Sequence, residues 1–328
     1  MTVADAIVLA GGRASRMGGV DKPAIVIGGL AGALAGLWLL GERGDLLLPS
    51  TRAWLRALGW RSVLTPRFWH GYLYARWSSQ YVGGAVRYVF PRLRPVPGET
   101  RWADVYHGKI LPTPLAQKLI SVNEDIPLQD LEQIIPYPTA RQIVLHGPPD
   151  VVVYECPCRA GRENPCQPTQ VCMIVGKPFT DFVLEHNPHS SRRLTQQEAL
   201  DLLQAEHERG HLHAAYFKDV MLDRFYAICN CCACCCGGIE AMRQRGAPMI
   251  TSSGYVAQVD EGLCTACGTC AESCPFEAIT VNGAAAITWE ACMGCGVCID
   301  QCPDDALALV LDARKGPPLD ADHLRRVS

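Results

Sequence analysis

Across 328 residues, charge of either sign is close to balance: 30 Lys and Arg against 33 Asp and Glu leave −3. No global charge therefore argues for nucleic acid as a partner. No hydride-transfer fingerprint, flavin motif or catalytic triad is visible in the chain. A convincing secretory signal is also missing, so the expected location is the reducing cytoplasm, where thiols persist. What the chain has instead is cysteine, eighteen in all. In that setting they argue for metal rather than disulfides.

Eight of them form two runs of identical spacing. The first reads Cys264-x-x-Cys267-x-x-Cys270-x-x-x-Cys274-Pro275, and the second Cys292-x-x-Cys295-x-x-Cys298-x-x-x-Cys302-Pro303, every cysteine 28 residues after its counterpart. Two intervening residues let the backbone curl so that successive thiolates converge, with amide N–H groups turned toward sulfur. The proline after the last cysteine suits the start of a short helix, where its missing N–H would be an orphan in any case. A zinc ribbon or disulfide scaffold is the alternative. Zinc sites, however, use cysteine pairs separated by a longer loop rather than two runs of four.

The double run is similar to that of bacterial two-cluster ferredoxins, where three cysteines of one copy and the last of the other hold one [4Fe–4S] cluster. The resemblance implies one cluster on Cys264, Cys267, Cys270 and Cys302, and a second on Cys292, Cys295, Cys298 and Cys274. The other ten cysteines fall in two clumps: Cys156, Cys158, Cys166 and Cys172, then Cys229, Cys231, Cys232, Cys234, Cys235 and Cys236. A lone buried cysteine is usually a small hydrophobe, but six within eight residues are not explained that way. Adjacent cysteines diverge, so one cluster cannot use all of Cys234, Cys235 and Cys236. The expectation is a further metal site, an iron–sulfur cluster or another metal, with ligands from both clumps. A redox-active dithiol is the competing reading. Glu155-Cys-Pro-Cys-Arg159, Asn164-Pro-Cys166 and the Cys229–Gly238 run, with the terminal double run, resemble a bacterial family of larger ferredoxin-type iron–sulfur proteins over residues 45–315. That resemblance implies electron transfer without naming a reaction.

The N-terminus carries two other signals. Residues 7–23, an apolar stretch entering Gly11-Gly12-Arg13 and continuing through Arg16 and Lys22, resemble the opening signature of molybdenum cofactor guanylyltransferases. The resemblance implies nucleotide contacts from Leu9, Gly11, Gly12, Arg16 and Lys22, yet no later Asp-rich metal site accompanies it. Pro23–Leu40 is an uncharged run of eighteen residues, at the short end for a bilayer span. Gly28, Gly32 and Gly36 give it the small-residue face of packed membrane helices. A membrane anchor and a buried glycine-rich core helix stand side by side as readings. From Arg43 to Arg101 ten arginines far outnumber the acidic residues, which would place the following chain in the cytoplasm. Residues 50–100 interleave those arginines with aromatics such as Trp54, Phe68, Tyr72 and Tyr74. Amphipathic helices on a membrane, a partner-docking surface and a packed helical subdomain all fit.

Helices are expected over Thr113–Ser121 and Leu128–Ile134, and a strand over Val151–Tyr154. His207-Glu-Arg-Gly-His211 matches a zinc-peptidase motif. Thr195 and Glu198, however, form a capping box for a helix that Gly210 should stop, leaving His211 outside it.

The expected fold is α+β, with a ferredoxin-like two-[4Fe–4S] domain following a cysteine-rich α/β domain and a helical N-terminal region. The expected divisions are 1–40 (nucleotidyltransferase-like fragment and membrane helix 23–40), 41–149 (basic, aromatic helical scaffold), 150–254 (cysteine-rich domain), 255–312 (ferredoxin domain) and 313–328 (mobile tail). The expected function is relay of single electrons between redox partner proteins, as carrier or oxidoreductase subunit more than as a stand-alone catalyst. A redox enzyme using the upstream cysteines, or a nucleotidyltransferase fusion, is the alternative. No nucleic acid partner is expected.

Overall fold

The computed structural model describes residues 48–89, 92, 106–123, 126–129, 142–145 and 148–322. Residues 7–23, with their nucleotide-binding resemblance, and the Pro23–Leu40 run lie outside these. Among the described residues no helix is long and apolar enough to cross a membrane.

The chain enters through three helices: α1 (Pro49–Leu58), α2 (Pro66–Arg76) and α3 (Ser78–Gly84). Proline opens α1 and α2, where its fixed φ suits the first turn and no hydrogen bond is lost. Buried residues recur at helical spacing, Thr51, Trp54 and Leu55 on α1 and Phe68, Tyr72 and Ala75 on α2. Their target is another helix. Trp54 meets Phe179 and Phe182 edge to face, with ring centroids 5.3 and 5.0 Å apart, in the range where aromatic pairs are attractive beyond their area. Trp54, Phe68, Tyr72 and Tyr74 are thus buried, while Trp60, Trp77 and Tyr88 are exposed.

A mixed sheet follows. Its strands are β1 (Tyr106–Leu111), β2 (Ile126–Gln129), β3 (Gln142–Leu145), β4 (Val151–Glu155), β5 (Gln170–Val175), β6 (Ser191–Leu194), β7 (Leu212–Lys218), β8 (Arg224–Cys231) and β9 (Ile250–Thr251). Its order is β6-β4-β5-β8-β7-β1-β9, with the β2–β3 hairpin attached through β3 to β8. The regions 41–149 and 150–254 thus share one sheet. The helix α4 (Thr113–Ile120) forms where expected. The helix expected over Leu128–Ile134 does not start there, since Ile126–Gln129 pairs instead with β3. Edge pairing satisfies backbone groups that a four-residue helix start could not.

Helices cover both faces. On one side, α1, α2 and α6 (Phe179–His186) pack on Val152, Val171, Cys172, Tyr216 and Tyr226. On the other, α4 and α7 (Gln196–Glu208) pack on Val151, Val153, Met173 and Ile228. The Thr195–Glu198 capping box that begins α7 is present in full. Cysteine-bearing turns lie at the strand ends: α5 (Pro157–Ala160) follows β4, and α8 (Gly237–Arg245) follows β8.

The last unit is a small pseudo-symmetric body. Strand β10 (Tyr255–Val259) pairs antiparallel with β13 (Leu307–Leu311), and β11 (Ile279–Asn282) with β12 (Ala284–Ile287). Short helices α9 (Thr269–Ser273) and α10 (Val297–Asp300) carry one cysteine of each run. The mobile tail expected from residue 313 is corrected as far as residue 322. Leu319 and Ala321 are buried against α4 and the β-sheet, and Lys118 pairs with Asp320 and Asp322. Two apolar side chains entering an existing core, with the Lys118 ion pairs beside them, hold a tail that reads as polar.

Candidate metal centres

The backbone of the ferredoxin unit repeats as faithfully as its sequence. Positive φ falls at Ala266 (57°), Gly268 (88°) and Glu277 (54°), and again at Gly294 (64°), Gly296 (90°) and Asp305 (49°), each 28 residues on. These left-handed residues curl each loop so that Sγ atoms converge. Glycine is required at one of them. A Cβ on Gly294 would lie 2.2 Å from the Tyr255 carbonyl oxygen and 2.4 Å from Ser253 Oγ.

Two hollows result. Cys264, Cys267, Cys270 and Cys302 line one; Cys274, Cys292, Cys295 and Cys298 line the other. In each, three cysteines come from one run and the fourth from the other. Backbone N–H groups donate to sulfur in symmetry-related pairs. Ala278 N donates to Cys274 Sγ and Ala306 N to Cys302 Sγ, both at 3.3 Å. Ala285 N donates to Cys264 Sγ at 3.4 Å and Ala257 N to Cys292 Sγ at 3.5 Å. Donors on sulfur stabilise added negative charge, so the residues present fit a [4Fe–4S] cluster in each hollow.

The two hollows differ in surroundings. Cys267 is exposed, and hydrogen bonds from the Thr269 side chain and backbone hold its thiol below the ordinary value. On the other side, burial pushes Cys295 up to about 12 and raises Cys298 as well. Phe276, Met293 and Cys295 pack against the core that contains Cys156, Cys172, Cys231 and Cys236. One hollow therefore faces solvent and the other faces the cysteine-rich region.

The ten upstream cysteines separate into two groups. Six form a closed ring of side-chain contacts: Cys156 to Cys158, Cys158 to Cys236, Cys236 to Cys231, Cys231 to Cys229, Cys229 to Cys172, and Cys172 back to Cys156. Strand geometry explains it. Cys229 and Cys231 alternate on β8 and so share a face, Cys172 sits on β5 opposite Tyr154, and Cys156 and Cys236 are the N-caps of α5 and α8. Contacts from Cys158 first, then Cys172, hold the Cys156 thiol low; Cys158, then Cys231, do the same for Cys236. The other four, Cys166, Cys232, Cys234 and Cys235, lie together at the rim, their Sγ atoms within 4.8 Å of one another.

The zinc-peptidase motif does not assemble. Helix α7 ends at Glu208. His207 meets Thr113 Oγ1 at 2.8 Å and Asp300 at 3.2 Å, whereas His211 Nδ1 turns to Glu206 at 2.7 Å.

Two features escape the sequence motifs. Arg159 bridges the clumps, reaching Glu206 at 2.8 Å and the Asn230 carbonyl at 3.1 Å. The ferredoxin unit over residues 255–312 holds nine acidic residues and no lysine or arginine; a windowed charge count would have found it where the near-neutral total hid it.

Residues 257–280 and 285–308 each match the family of the 4Fe-4S binding domain. These tandem matches establish a dicluster ferredoxin-type domain, fit two [4Fe–4S] clusters and support an iron–sulfur electron-transfer role. No curated protein matches the chain.

Proposed function

We propose that the protein relays single electrons through two [4Fe–4S] clusters, as a carrier or as a subunit of a larger redox system in the cytoplasm. Cys264, Cys267, Cys270 and Cys302 would hold one cluster, and Cys292, Cys295, Cys298 and Cys274 the other. Such clusters supply reversible one-electron chemistry. The chain supplies the rest. Its thiolates fix two centres side by side, and the N–H donors of Ala257, Ala278, Ala285 and Ala306 favour the more negative charge state at each. Exposure of Cys267 leaves one edge open to a redox partner protein, while the apolar wall of Phe276 and Met293 shields the second hollow.

The observation that carries this reading is the pair of reciprocal four-cysteine hollows with matching N–H donors. Iron and sulfide analysis of protein purified without oxygen, followed by EPR during a redox titration, tests it. The expected result is at least eight irons and eight sulfides per chain, two clusters of four each, with reversible one-electron signals. A well-folded, iron-free protein would overturn it.

A further inference from the structure

We propose that Cys166, Cys232, Cys234 and Cys235 bind one tetrahedral metal ion, zinc or mononuclear iron, in a site separate from the ferredoxin clusters. Four cysteine constellations exist in the fold, and among the described residues this is the one whose Sγ atoms all approach within 4.8 Å. Cys166 Sγ lies 2.9 Å from Cys234 Sγ, which lies 3.6 Å from Cys235 Sγ. Tetrahedral coordination with metal–sulfur bonds of about 2.3 Å requires sulfur–sulfur edges of about 3.8 Å. A cubane requires wider edges, about 6 Å, because each thiolate caps a different iron. Among the described residues neither the ferredoxin hollows nor the six-thiol ring gives a comparable group of converging ligand atoms. The rim quartet, with sulfur separations from 2.9 Å up to 4.8 Å, brackets the edge of a single-ion tetrahedron and falls short of a cubane's.

The chain builds this quartet deliberately at one corner. Cys232 follows directly on β8, and the turn that starts there presents Cys234 and Cys235 before Cys236 departs to the ring. Cys166 arrives from the loop between α5 and β5, and its own N–H donates to Cys235 Sγ at 3.5 Å. Arg162 pins that loop, donating through Nε and Nη2 to the Cys235 carbonyl at 3.2 and 3.0 Å and pairing with Glu240. Four thiolates around a divalent ion leave a net charge of about −2. Arg159 acts electrostatically on both Cys166 and Cys232, and Arg162 acts at Cys235, so two guanidinium groups offset that charge. Cys232 and Cys235 are buried, Cys234 is exposed and Cys166 half-buried. A closed set of four protein sulfurs marks a structural site, here one that fastens the 161–169 loop to the start of α8. A sulfur-only tetrahedron selects zinc or iron over harder cations.

The test uses full-length protein purified without oxygen. Metal and sulfide are measured in the wild type, Cys234→Ser and Cys166→Ser, and extended X-ray absorption is recorded at the zinc edge of the wild type. The expected result is one zinc per chain bound by four sulfurs at about 2.3 Å, lost in either variant while iron and sulfide are unchanged. If the native ion is iron, the variants lose about one iron and no sulfide, and Co²⁺ added to chelator-treated wild type gives the intense visible bands of a tetrahedral tetrathiolate. The absorption and Co²⁺ measurements need no variant, so a folding defect cannot mask the answer. Loss of about four irons with four sulfides would make the quartet part of a cubane and overturn the proposal. So would unchanged metal content, no Co²⁺ uptake, or alkylation showing Cys166 and Cys234 joined as a disulfide. None of these outcomes depends on the ferredoxin clusters being active.

Discussion

Arg159 Nη2 lies 2.8 Å from Glu206 Oε2, with the two side chains 1% and 0% exposed. Arg159 follows Cys158 directly, and it also donates to the carbonyl of Asn230 on β8. One guanidinium thus joins the first cysteine clump, the second and helix α7. Glu206 in turn accepts from Arg209 and sits against His211. Removing its charge takes from Arg159 the one carboxylate it touches, and breaking such a buried pair typically costs about 3–5 kcal/mol. Glu206→Gln should lower the urea midpoint by a corresponding amount, measured under anaerobic conditions. Arg159→Met combined with Glu206→Leu should cost clearly less than the sum of the single changes; strict additivity would show that the pair does not act as a unit.

Three histidines should make the fold acid-sensitive. Burial first, and Lys218 second, lower His70 to about 3. Burial and then Arg76 lower His186 to about 3, and burial chiefly lowers His213 to about 4. Each is neutral when folded, whereas its unfolded counterpart takes a proton near 6.5. The unfolded state therefore binds more protons below that pH, and stability falls as pH drops. Their contribution is complete above pH 6.5 and declines toward pH 4, by up to about 1.4 kcal/mol per pH unit for each. Chemical unfolding at pH 7 and at pH 5.5 checks the slope, and His213→Gln should reduce it. A pH-independent midpoint across that window would contradict the burial of these rings.

Gly294 and Ala266 occupy the same place in the two ferredoxin loops, at φ 64° and 57°. Only Gly294 is crowded, with Tyr255 and Ser253 where a Cβ would go. Ser253 Oγ donates to the Gly294 carbonyl at 2.7 Å, so backbone adjustment there would break a buried hydrogen bond. Gly294→Ala should cost about 2–4 kcal/mol, combining overlap with a left-handed alanine. Ala266→Gly should change stability by less than about 1 kcal/mol, since relief of its φ is offset by a more flexible unfolded chain. Thermal melts of the two variants, with iron retained, compare them directly.

Much of this was legible in advance. The 28-residue repeat locates eight cysteines by spacing alone, because local loop geometry brings them together and the repeat supplies the exchange of the fourth. The capping box at Thr195 is equally local. The upstream cysteines behave differently. Whether Cys235 or Cys236 faces the rim depends on how the turn after β8 meets the loop carrying Cys166, a contact across 69 residues. Ring membership likewise follows from β5 lying beside β8, a pairing that no short window encodes. The Leu128 strand and the anchored tail were missed for the same reason, since partner elements decide both.

The acidic character of the ferredoxin unit leads to a kinetic prediction. Asp260, Glu261, Glu272, Asp304 and Asp305 are exposed, and Asp304 and Thr265, hydrogen-bonded to each other, rim the hollow beside the exposed Cys267. With no basic residue in the unit to cancel them, they surround the accessible edge with negative potential. Such a field raises encounter rates with cations and is screened as salt increases. Electron exchange with a cationic viologen should therefore slow several-fold between about 10 mM and about 500 mM salt, whereas exchange with an anionic quinone sulfonate should quicken. Glu261→Gln with Asp305→Asn should flatten both trends while leaving the cluster signals intact, because asparagine accepts the left-handed backbone found at Asp305. Equal salt dependence for mediators of opposite charge would mean that electrons leave the protein somewhere other than the Cys267 edge.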